Sequence, residues 1–111
     1  MRFGLDQKTT AQLQAVFARH DEIREVIIYG SRALGTHKPS SDIDLVLVGC
    51  NLSFALLQTI NQEIDDLFLP YTVDLSVYKH ITHDNLLDHI ARVGKTFYRK
   101  TKRSRQVIAN S

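Results

Sequence analysis

The sequence predicts an α/β domain of the mixed (α+β) kind, a small sheet of about three strands with helices packed on one face. Three observations predict it. Two short apolar runs, EVIIYG and DIDLVLVG, each stop at a glycine. The stretch YTVDLSVY alternates apolar and polar residues. The segments around and between these runs carry apolar residues at helical spacing instead.

In chain order, residues 7 to 20 place Leu13, Val16 and Phe17 on one helical stripe, with Asp6 or Thr9 to supply the cap. EVIIYG follows as a short strand. SRALGTHKPSS opens with a helical turn and becomes loop, because Gly35, Pro39 and two serines cluster at its end. DIDLVLVG is the second strand. Residues 53 to 68 set Leu56, Leu57, Ile60, Ile64, Leu67 and Phe68 on one stripe, and Pro70 marks the end of that helix. In YTVDLSVY, Tyr71, Val73, Leu75 and Val77 share one face, with Thr72, Asp74, Ser76 and Tyr78 on the other. Residues 82 to 91 form the last helix, with Thr82 as cap and Leu86, Leu87 and Ile90 inward.

Composition narrows the class. The chain has 111 residues, 43% hydrophobic and 23% charged, as in an ordinary globular domain. A domain of this size buries roughly two-thirds of its unfolded surface, enough for one core. No run approaches the roughly 20 apolar residues of a membrane span. The opening MRFGLDQKTTAQLQ lacks the apolar centre of a signal peptide. Cys50 is the single cysteine, so no intrachain disulfide forms and a reducing cytoplasm is expected, with Cys50 a small residue buried or at a strand end. The organisation expected is a domain over residues 1–98 and a basic tail over 99–111.

The net charge of +2 is uneven. The tail carries Arg99, Lys100, Lys102, Arg103 and Arg105 and no acid, and without those five charges the body stands at −3. An acidic body argues against direct nucleic-acid binding by the domain. The tail reads as a solvated terminus, although it also suits phosphates or an acidic partner.

Chemistry concentrates in three acids. Asp42 and Asp44 lie two residues apart at the start of a strand, so their side chains share a face roughly 6.6 Å apart along the chain. Asp74 lies on the polar face of YTVDLSVY and joins them if the two strands pair with apolar faces matched. Three carboxylates within about 5.5 Å repel by about 3 kcal/mol per pair at an effective dielectric of 20. No basic residue adjoins them in sequence, so the pattern itself calls for a divalent cation. Mg²⁺ takes such oxygen ligands and keeps waters and phosphates as the rest.

The stretch GSRALGTHKPSSDID adds an anion-binding loop. Gly30 ends a strand, leaving backbone N–H groups of the following turn free to face an anion. Ser31 offers a hydroxyl, Arg32 a permanent charge, and Gly35 close backbone approach. Neither common Gly-rich phosphate motif is present. Alone, Gly-Ser is turn chemistry and Asp-x-Asp is capping chemistry. Their combination is more specific: strand, Gly-Ser, ten residues, Asp-x-Asp opening a second strand, then Asp on a third.

IIYGSRALG, SDIDLVLV and TVDLSVY together resemble the nucleotidyltransferase superfamily that includes DNA polymerase β. More closely the chain resembles the minimal nucleotidyltransferase (MNT) domains that accompany HEPN proteins in prokaryotic toxin–antitoxin pairs. The resemblance covers roughly residues 10–98 and leaves the basic tail unexplained. It implies that Asp42 and Asp44 hold two Mg²⁺ ions, and that Asp74 binds the metal activating the attacking hydroxyl. It further implies that Gly30 and Ser31 hold the triphosphate of ATP, with Arg32 and Lys38 as further phosphate contacts. The implied activity is that of an antitoxin transferring AMP from ATP to a hydroxyl, a tyrosine for preference, of a HEPN RNase toxin.

Two other readings stay open at this level: an antitoxin that neutralises its partner by binding alone, and the catalytic half of an aminoglycoside-type nucleotidyltransferase. Whether the chain assembles as a homo- or hetero-oligomer also stays open at this level. Nucleic-acid polymerisation ranks last, given the acidic body. Among the remaining residues, the five histidines show no zinc spacing with cysteine. Tyr29 reads as core, and His37 as a loop residue facing solvent.

Overall fold

The computed structural model describes residues 2–101. Its elements are helix α1 (Gln7–Ala18), strand β1 (Ile23–Tyr29), the short helix α2 (Gly30–Leu34), β2 (Ile43–Gly49), α3 (Phe54–Asp65), β3 (Val73–Val77), a 3-10 turn over Tyr78–His80, α4 (Asp84–Val93) and β4 (Lys95–Arg99). The sheet has four strands in the order β3-β2-β1-β4. β1 pairs antiparallel with β2 and β4, whereas β2 and β3 run parallel. A parallel pair needs a crossover, and α3 supplies it.

Alternation along each strand decides which face meets which helix. Val26 and Ile28, Ile43, Leu45 and Leu47, Leu75 and Val77 join the main core with Leu13, Val16 and Phe17 of α1 and Ile60 and Ile64 of α3. Fully burying one such side chain stabilises by roughly 1.5–3 kcal/mol. Phe17 meets Phe97 of β4 edge-on, with ring centroids 6.4 Å apart and an interplanar angle of 81°. Tyr29 and Val46, on the opposite face, form a second cluster with Ile90 of α4. Tyr29 is core, as its place in an apolar run indicates.

The expected sheet is present, with additions. β4 is a fourth strand, and α4 covers the second face, so helices lie on both sides rather than one. α1 is capped by Asp6, whose carboxylate accepts the Thr9 N–H at 2.7 Å. α4 begins later than expected: His83 rather than Thr82 holds the cap position, and no side chain caps it. α3 ends at Asp65, and Phe68 (φ +54°) has left the helix and lies 88% exposed, off the apolar stripe. Cys50 follows β2 and is exposed. Of the basic tail, Arg99 ends β4; Lys102, Arg103 and Arg105 lie outside the described residues. Among the described residues no helix is long and apolar enough to cross a membrane.

Candidate functional site

Register assembles the site. In the parallel pair Asp44 stands directly beside Asp74, and in the antiparallel pair Tyr29 stands beside Asp44. Because side chains alternate, Asp44 and Asp74 share the face that carries Tyr29, Val46 and Ser76, opposite the main core. Asp42 precedes β2 by one residue and is exposed, as is Asp74, while Asp44 is half-buried. The start of β2 is tied to β3 by the Ile43 N–H, which donates to the Thr72 carbonyl at 2.8 Å.

The charges of the neighbouring acids bear on Asp44. Burial raises the Asp44 carboxyl above its ordinary range, the charges of Asp74 and then Asp42 raise it further, and His89 opposes them. The Tyr29 phenol is likewise pushed up, first by burial and also by Asp44 and Asp74, against a hydrogen bond with Ser76. None of the ion pairs among the described residues involves Asp42, Asp44 or Asp74.

Gly30 closes the site from the β1 side. Its φ of +75° is a left-handed conformation, and a Cβ built there would collide with Asp44 Oδ2. Only glycine lets the chain pass this close to that carboxylate. The Gly30 N–H donates to His89 Nε2 at 3.1 Å, and the His89 ring meets Tyr29 edge-on at 79°. His89 therefore belongs to the neighbourhood of the acids, which its place in DNLLDHIARV did not signal.

Ser31 is half-buried in α2, and its carbonyl accepts the N–H groups of Gly35 and Thr36 at 2.9 and 3.0 Å, closing the short helix. Gly35 follows at φ +83°. The Lys38 N–H donates to Ser41 Oγ at 2.8 Å and its carbonyl accepts the Ser41 N–H at 2.9 Å, so the loop is clasped while the residue stays exposed. Arg32 is placed differently from the loop cation expected. It is 2% exposed, and its guanidinium donates to backbone carbonyls of Phe3, Pro39 and Ser41. His37 is half-buried rather than solvent-facing, with Nδ1 enclosed and unpartnered.

The structure thus gathers Gly30, Asp44 and Asp74 beside Tyr29 and His89, and holds Asp42 within electrostatic reach. Among the described residues no three His, Cys, Asp or Glu side chains are grouped so as to hold a metal ion. The donor set nevertheless fits a hard divalent cation: carboxylate oxygens only, with mutual repulsion registered at Asp44 that a cation would relieve.

A family model described as "Polymerase beta, Nucleotidyltransferase" matches residues 11–103. No curated protein matches the chain in sequence. Among solved structures, a toxin–antitoxin complex with AMP-PNP superposes with TM-score 0.65 at 17% identity, covering 92% of this chain and 80% of that one. A complex of a tri-AMPylated Shewanella oneidensis HEPN toxin with an MNT antitoxin gives TM-score 0.64 at 15% identity, over 95% of this chain and 81% of that one. The toxin–antitoxin pair MntA-HepT gives TM-score 0.63 at 15% identity, over 94% and 80%. At these identities the likeness is one of fold.

Proposed function

The chain belongs to the polymerase-β nucleotidyltransferase family, and from that premise we propose that it is an antitoxin that transfers AMP from ATP to a tyrosine hydroxyl of a HEPN-type RNase toxin. The observation that carries this reading is the β2–β3 register, which sets Asp44 beside Asp74. The structural neighbours add support: one holds AMP-PNP, and another pairs an MNT antitoxin with an AMPylated toxin.

In this reading Asp42, Asp44 and Asp74 hold two Mg²⁺ ions. Bound there, the ions would supply charge neutralisation at the phosphates and would lower the pKa of the acceptor hydroxyl. Gly30 and Ser31 hold the triphosphate, and the exposed Lys38 reaches its outer phosphates. The acceptor oxygen forms a bond to the α-phosphorus in line with the departing group. The bond from that phosphorus to the oxygen bridging toward the β-phosphate breaks, and pyrophosphate leaves. The acceptor proton passes to the Asp74 carboxylate, the most open of the acids on the shared strand face. The protein contributes position and charge rather than a covalent intermediate.

The test uses ATP labelled at the α-phosphate, Mg²⁺ and a purified HEPN partner. Label should appear on the partner, and the Asp42→Ala/Asp44→Ala double variant should abolish it. Unchanged labelling by the double variant would refute the catalytic assignment. A second reading, neutralisation by docking alone, draws on the neighbours being complexes of an antitoxin with its toxin. It predicts that the same double variant still rescues cells from the toxin.

A further inference from the structure

Arg32 is the residue whose place the sequence explains least. Its guanidinium is buried, yet no ion pair among the described residues includes it. A buried charge of this kind is costly unless its donors are satisfied. Carbonyl oxygens satisfy them here. Nη1 donates to Phe3 O at 2.8 Å, Nη2 to Ser41 O at 2.9 Å and Pro39 O at 3.2 Å, and Nε to Ser41 O at 3.2 Å. The guanidinium carbon lies 5.1 Å from the centre of the Tyr71 ring.

These contacts fall on three separate segments: the turn before α1, the end of the loop before β2, and the approach to β3. Ser41 immediately precedes Asp42, and Tyr71 precedes Asp74 by three residues. Gly4, at φ +71°, lets the first segment come close, because a Cβ there would press on His37 and on Arg32 Nη1. A planar fork of fixed donors spans three carbonyls at once, whereas a lysine ammonium presents a single point.

We infer that Arg32 is a positioning residue: its fork holds the end of the 36–41 loop against the start of β3, and so sets Asp42 and Asp74 around Asp44 for the divalent cation. This rests on the transferase reading above, and it gives Arg32 a task other than phosphate contact.

The test compares wild type, Arg32→Lys and Tyr71→Leu by three readouts on the isolated protein: Mn²⁺ titration, affinity for ATP at saturating Mn²⁺, and amide hydrogen exchange over residues 36–44. Arg32→Lys should raise the Mn²⁺ concentration for half-saturation about 10- to 100-fold, as loss of a group that orients metal ligands does. It should also speed exchange over residues 36–44 while leaving ATP affinity at saturating metal unchanged. Tyr71→Leu, which removes the ring contact and leaves the Arg32 donors in place, should shift metal binding and exchange in the same direction by less, and it serves if Arg32→Lys does not fold. Weakened ATP affinity with a native Mn²⁺ titration would make Arg32 a phosphate ligand and overturn the inference. Native exchange and native metal binding in a folded variant would overturn it too. If wild type itself takes up no Mn²⁺, the transferase reading fails, and the exchange comparison alone decides the role of Arg32.

Discussion

Replacing Asp44 with asparagine separates the chemistry of the site from its stability. Asp44 and Asp74 are register partners in adjacent parallel strands. Strands lie about 4.8 Å apart, so the two carboxyl groups stand roughly 5 Å from one another. At that distance two unit charges repel by about 3 kcal/mol at an effective dielectric of 20 and by about 0.8 kcal/mol in water. Asp74 and Asp42 are exposed, so screening places the effect near the lower limit, about 1 kcal/mol. Asparagine keeps the shape and removes the charge. Metal-free Asp44→Asn should therefore melt about 4–8 °C above wild type. Added Mg²⁺ should reverse the order, because a ligand at ten times its Kd stabilises by about 1.4 kcal/mol, and only wild type keeps the full donor set. Thermal melts in EDTA and in Mg²⁺ measure both effects. Equal or lower stability of the variant in EDTA would show that the acids do not repel, and the metal argument would lose its physical basis.

Four further outcomes follow from the same geometry. Gly30→Ala should destabilise by about 1–3 kcal/mol from its left-handed backbone alone, with the added collision at Asp44 Oδ2; a thermal melt and loss of partner labelling check this. Folding raises the Asp44 carboxyl, so between its ordinary and raised values the folded chain keeps a proton that the unfolded chain has lost. Metal-free stability should accordingly fall as pH rises through that window and level off above it, and Asp44→Asn should lack the fall; urea titrations across pH measure it. Phe17→Ala, at a fully buried position between α1 and β4, should cost about 3–5 kcal/mol, a large share of a domain's roughly 5–15 kcal/mol, read by urea denaturation. Ser53→Ala removes the side chain that accepts the Leu56 N–H at 3.1 Å, and should cost about 1 kcal/mol without changing metal binding.

Much of this architecture is legible in the sequence where pattern and burial agree. The alternation of YTVDLSVY puts Asp74 opposite Leu75 and Val77, and the sheet keeps that assignment. The helical stripes Leu13, Val16, Phe17 and Ile60, Ile64 face the main core. β4 escapes such a reading because an edge strand needs little apolar content: in KTFYR only Phe97 is buried, and Lys95, Thr96 and Arg99 face solvent. The end of α3 escapes it because Leu67 and Phe68 keep the apolar period after the backbone has turned out of the helix. The loop residues show the deeper limit. Arg32 beside Gly-Ser reads as a free cation, and only tertiary contacts with Phe3 and Tyr71, distant in sequence, reveal where its donors go. His89 likewise reaches Gly30 across 59 positions of chain, a contact that no local pattern encodes.

On the proposed reading, Asp42, Asp44 and Asp74 together form the site for divalent cations beside Gly30. Titrating the ¹⁵N-labelled protein with substoichiometric Mn²⁺ tests it most directly. Amide signals of Gly30, Ser31, Asp42, Asp44 and Asp74 should broaden first and together. Broadening that begins elsewhere, or that spares Asp74 while Asp42 and Asp44 vanish, would contradict a site shared by all three acids.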